Sequence, residues 1–133
     1  MQFIGIWSDY ASTYLLVVTA VTLVVFSVLL FFKPLVWAKM LMWKIPEETD
    51  LAVYFGRCLG AFALVTNIMF LQAALWGQGT VFVLQFFSLF CFLMIVVHVW
   101  GAIAKIQPVT ETLETGFWLV LLILNLLVMP VSA

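Results

Sequence analysis

Charge is what this sequence lacks most: only 8% of its 133 residues are Asp, Glu, Lys or Arg. A soluble domain of about 150 residues still leaves about 30% of its chain surface in water. With 67% apolar residues and a mean hydropathy of +1.28, this chain has too little polar surface to cover such an area. The composition therefore reads as an integral membrane protein. A net charge of −1 and no basic stripe exclude the electrostatic footprint of a nucleic-acid partner.

Other absences narrow the chemistry. Two cysteines, Cys58 and Cys91, both fall within apolar runs. They read as small buried hydrophobes rather than a disulfide or metal pair. His98 is the single histidine, and no second His or Cys is spaced to join it, so no metal site is expected. Ser27 and Ser88 stand without a nucleophile motif, so no catalytic residue is assigned. The N-terminal stretch has no basic region and no small-residue cleavage site, which argues against a removable signal peptide. No internal repeat or low-complexity linker breaks the chain.

What is present is four apolar runs of membrane-crossing length, each near the roughly 20 residues a spanning helix needs. The first is placed at 14–32, ended by Lys33-Pro34, with Trp7, Asp9 and Tyr10 before it at headgroup level. The second is placed at 50–76, the third at 80–104 and the fourth at 113–129. Gly77-Gln78-Gly79 forms a tight turn between the second and third, and Pro108 breaks the chain before the fourth. Residues 33–45 alternate Lys33, Lys39 and Lys44 with Trp37, Met40, Met42 and Trp43, the pattern of an interfacial segment with snorkelling lysines. Pro46-Glu47-Glu48 is expected to open the second helix.

The expected fold is therefore all-α, a four-helix membrane bundle with up-down topology and short loops. Loops 33–49 and 105–112 carry the lysines, including Lys105. They are expected on the cytoplasmic side of the inner membrane, with both termini outside.

Polar residues inside apolar spans are costly and mark candidate sites. Arg57, seven residues past Asp50, and His98, seven before Lys105, both lie roughly 10 Å below the cytoplasmic boundary by helix rise. Glu111 and Glu114 sit nearer that boundary. An Arg57–Glu114 ion pair with His98 beside it would make an inner-leaflet pocket for an anionic headgroup, a carboxylate or a quinone oxygen. The alternative is that Arg57 snorkels to lipid phosphate and His98 satisfies a backbone carbonyl. No cofactor is expected; haem would need a second ligand for His98, such as Met94 one turn earlier.

Asn67, Ser88 and Asn125 form a deeper polar layer suited to hydrogen bonds between helices. Gly56 and Gly60 form a GxxxG pair continued by Ala63, Asn67 and Ala74, a face that lets another helix approach closely. Phe82, Phe86, Phe87, Phe90 and Phe92 make the third run aromatic, as core or lipid contact.

The run Phe55-Gly56-Arg57-Cys58-Leu59-Gly60 and the later His98-Val99-Trp100-Gly101, followed by a proline loop and a fourth span, resemble the DoxX-like families of small four-helix membrane proteins. They resemble the Erg28-like proteins less closely. The first resemblance implies association with quinone-linked oxidoreductases, the second a scaffold for sterol-synthesis enzymes. Neither transfers a catalytic residue. Three readings follow. The first is a non-enzymatic accessory subunit or scaffold with a membrane-protein partner or a second copy of itself. The second is a lipid- or quinone-binding, redox-linked protein using Arg57, His98, Glu111 and Glu114. The third is an oligomeric transporter or channel.

Overall fold

The computed structural model describes residues 3–130. The expected positions of the two chain ends fall on residues 1–2 and 131–133, outside the described residues. The chain is all-helical, 81% helix, and no strand occurs among the described residues. Helix α1 runs Ser8–Phe32, α2 Pro34–Met40, α3 Asp50–Trp76, α4 Thr80–Ala104 and α5 Val109–Val128. All but α2 are long and apolar enough to cross a membrane.

Breaks between helices have local causes. Pro34 disfavours helical backbone at the residue before it; Lys33 leaves the helical region at φ −138°, and Pro34 becomes the first residue of α2. Gly77 (φ 69°) and Gly79 (φ 73°) are both left-handed, the conformation glycine adopts without cost, and they turn α3 into α4. Lys105 is left-handed too. There the Ile106 amide bonds the Gly101 carbonyl at 3.1 Å, closing the end of α4.

Two helix starts differ from the sequence reading, and a third helix starts where expected but without its expected opening. Helix α1 begins at Ser8 rather than Tyr14, because its polar first turns continue the apolar helix. The amides of Gly5 and Trp7 then bond the carbonyls of Leu126 and Leu127 at 3.1 and 2.9 Å, satisfying groups at the end of α5. Helix α5 begins at Val109 rather than Leu113, which puts Glu111 and Glu114 inside its first two turns. Helix α3 begins at Asp50, and Pro46-Glu47-Glu48 stays non-helical. The residues just before it, at the end of α2, are tied across to α5: Thr110 Oγ1 donates to the Leu41 carbonyl and Trp43 Nε1 donates to Glu111.

Helices α1 and α3 form the most extensive pair, α4 and α5 the next, while α3 and α4 touch much less. Glycine sets the α1–α3 approach. A Cβ on Gly60 would stand 2.5 Å from the Phe31 nitrogen, and one on Gly56 2.5 Å from Pro34 Cβ. Both glycines therefore face their own chain.

The asparagines tie each pair separately rather than forming one layer. Asn67 Nδ2 donates to Ser27 Oγ at 2.7 Å and to Ala63 O at 3.0 Å, while Thr22 Oγ1 lies 2.7 Å from Asn67 Oδ1. Asn125 Nδ2 donates to Leu84 O and Ser88 Oγ, each at 2.6 Å. Ser27 belongs to a π-helical turn, Leu23–Ser27, that widens α1 at this tie. Cys91 is buried as expected, but Cys58 is exposed. It lies about 200° around α3 from both Gly56 and Gly60, so it points away from α1.

Candidate functional site

The site begins with the turn that joins α4 to α5. Gln107 Nε2 donates to the His98 carbonyl at 2.9 Å and to Thr112 Oγ1 at 3.0 Å. The Gln107 side chain occupies the space a Cβ on Gly101 would need, so glycine at 101 permits this fastening. Glu111 and Glu114, three residues apart on α5, then share one helix face toward His98.

His98 is 3% exposed and Glu111 8%; Glu114 is half-buried. The His98 Nδ1 lies 2.7 Å from the Met94 carbonyl. A carbonyl only accepts, so Nδ1 carries a proton. The Nε2 faces Glu111 Oε2 at 3.1 Å and Glu114 Oε2 at 3.7 Å. The other oxygen of Glu111 accepts the Trp43 indole N–H at 2.6 Å. Among the described residues no Lys or Arg pairs with either glutamate. Even a charged His98 balances one carboxylate only. The second negative charge awaits a proton, a cation or the hydrogen-bond donor of a ligand.

A cavity of about 120 Å³ adjoins this cluster. Glu111, Glu114 and Trp118 form one end; Phe62, Phe86 and Phe90 form the apolar body; Thr22, Ser27 and Asn67 form the far end. Phe62 projects from α3 toward α4. It is 46% exposed, with its ring centroid 6.0 Å from Phe86 and 6.3 Å from Phe90. At the far end the Asn67 amide is fully engaged by Thr22, Ser27 and Ala63, so it holds helices together and offers a ligand little. At the near end the buried Trp118 indole N–H leans toward Glu114 without completing a hydrogen bond of ordinary length.

The structure thus brings His98, Glu111 and Glu114 together and leaves Arg57 out. Arg57 is exposed and makes no ion pair among the described residues. It lies about 200° around α3 from Leu59, which lines the cavity. The anticipated Arg57–Glu114 pair does not form. The Met94 backbone carbonyl faces His98 Nδ1, and both His98 ring nitrogens have protein partners. Trp43 and Trp118 escaped the sequence reading. They are two of six tryptophans, and nothing in the apolar pattern marks which indole N–H groups meet a carboxylate. Compared with family models, curated proteins and solved structures, the chain matches none.

Proposed function

We propose that this protein is a multi-pass, up-down membrane bundle that binds a hydroxyl-bearing amphiphile in its cytoplasmic leaflet. The membrane reading is supported by the exterior. In the most apolar window of each long helix only 22–28% of residues are buried, so the remaining apolar surface needs lipid or another helix against it. Lys33, Lys39, Lys44 and Lys105 on alternate connections support the orientation.

The observation that carries the ligand reading is the buried Trp118 N–H, which leans toward Glu114 without a hydrogen bond of ordinary length, at the wall of an aromatic cavity. A buried donor without a well-placed acceptor is costly. A hydroxyl answers both groups: its oxygen accepts from the indole and its hydrogen goes to a carboxylate. An anionic head, plausible if Arg57 joined the site, is disfavoured by the two glutamates. Size limits the body. A cavity of about 150 Å³ holds one benzene ring, so the 120 Å³ here suits a hydroquinone ring or an alkyl chain end rather than a fused ring system. Phe62 would admit it sideways from the bilayer.

The scaffold reading finds no such support in the GxxxG face, because Gly56 and Gly60 are covered by residues of the same chain. The test is labelling in nanodiscs with a diazirine-bearing long-chain phenol. Crosslinks should map to α3 and α4 around the cavity and fall sharply in Ala63→Phe, which fills it. Labelling spread evenly over the lipid-facing surface, and unchanged in Ala63→Phe, would refute the reading.

A further inference from the structure

We infer that His98, Glu111 and Glu114 form a binding site for one divalent transition-metal ion. Nε2 of His98 and one oxygen from each glutamate all lie within 4.8 Å of one another. A tetrahedral zinc ion with bonds of about 2.0–2.2 Å holds its ligand atoms roughly 3.3–3.6 Å apart. The His98 Nε2 distances of 3.1 and 3.7 Å to the two carboxylate oxygens straddle that range. The two glutamate oxygens lie within 4.8 Å of each other, so the ion enters as the carboxylates draw together by up to about 1 Å.

The surroundings are those of a metal-binding histidine. Metal-bound imidazole usually donates its other ring N–H to a carbonyl or carboxylate, which fixes the tautomer. Here Nδ1–H is held by the Met94 carbonyl, so the neutral ring presents its lone pair at Nε2, toward the two glutamates. Glu111 is oriented the same way, its Oε1 held by Trp43 and its Oε2 left facing His98.

A separate observation points to a ligand at this place. Trp118 Nε1, in a side chain only 4% exposed, leans toward Glu114 at the same cavity end without a hydrogen bond of ordinary length. With a metal bound, this N–H is placed to donate to an oxygen ligand at the fourth position. Charge agrees: two carboxylates and a neutral imidazole carry −2, which a divalent ion cancels in a surrounding that tolerates little net charge. A His-and-carboxylate set suits zinc, manganese or ferrous iron better than soft copper(I). The glutamates supply the ligands that a second histidine or cysteine would otherwise provide.

This inference shares the Trp118 observation with the amphiphile reading, but the ligand atoms and the apolar cavity body have separate readouts, so either can fail alone. The experiment uses untagged protein in mild detergent, stripped with a chelator and reloaded with Zn²⁺ or Co²⁺. Elemental analysis after gel filtration should give one Zn²⁺ per chain, and Co²⁺ should give the visible absorption of a four-coordinate site. Glu111→Gln and His98→Gln should lose both signals, and Arg57→Gln should keep both. Trp43→Phe should keep the stoichiometry with about 10- to 100-fold weaker affinity. Wild-type protein that retains no stoichiometric Zn²⁺ and gives no Co²⁺ band would overturn the inference without recourse to variants. Equal retention by Glu111→Gln would overturn it as well.

Discussion

His98 Nε2 and Glu111 Oε2 meet at 3.1 Å across the α4–α5 turn, 13 residues apart in sequence. The contact depends on Pro108 at the start of α5, a glycine that admits Gln107, and a tryptophan from a separate segment that steadies the carboxylate. The same few residues fix the turn, the polar cluster and one end of the cavity, so changes here should separate stability from binding in recognisable ways.

Trp43→Phe removes the N–H that Glu111 accepts while keeping most of the ring. A hydrogen bond to a charged group contributes about 1.5–3 kcal/mol. Unfolding in mixed micelles should show a loss in that range, and Trp37→Phe, which removes no hydrogen bond found in the structure, should cost less. Equal losses would mean the Trp43–Glu111 contact contributes nothing specific.

Two glycine substitutions should move in opposite directions. Gly60→Ala places a methyl 2.5 Å from the Phe31 backbone and should destabilise by about 1–3 kcal/mol, as overpacking does. Gly116→Ala meets nothing within 4 Å and should be neutral or stabilise by about 0.5–1 kcal/mol, because glycine is a poor helix former. The comparison is a pair of denaturation curves; matching shifts would contradict the close α1–α3 approach.

Asn67 and Ser27 should be energetically coupled. A double-mutant cycle with Asn67→Ala and Ser27→Ala should give about 0.6 kcal/mol, and at most about 1.7, the range for hydrogen bonds between membrane helices. Asn67 with Ser88 should show no coupling, since Ser88 bonds Asn125 instead. Coupling of Asn67 to Ser88 would restore the single polar layer that the structure divides in two.

Orientation is open to direct labelling. In a background with both cysteines replaced, Gln78→Cys should react with an impermeant maleimide added outside intact cells. Lys39→Cys should react only after the membrane is opened. The reverse pattern would invert the bundle and move the site to the outer leaflet.

The long helices were legible because apolar runs of membrane-crossing length need no tertiary context. The starts of α1 and α5 were not. Ser8, Asp9, Ser12 and Thr13 read as a polar lead-in, and Thr110, Glu111 and Thr112 as loop, although both stretches are helical. His98, Glu111 and Glu114 stood out as polar groups in or beside apolar runs. Arg57 stood out equally and lies elsewhere, because depth can be counted from sequence while helix rotation is set by packing, here by Gly56 and Gly60 against α1. The partners of Asn67 were hidden for a similar reason: Thr22 and Ser27 are ordinary residues in an apolar helix until a π turn carries Ser27 to the amide.

The most direct measurement is native mass spectrometry of the protein released gently from its own membrane, run beside Trp118→Phe. The account predicts wild-type chain carrying a small-molecule mass, with fragmentation showing a hydroxyl-bearing amphiphile, and a variant that folds but arrives without it. Bare wild-type chain, or the same adduct on both proteins, would contradict a site built around the Trp118 N–H and the two glutamates.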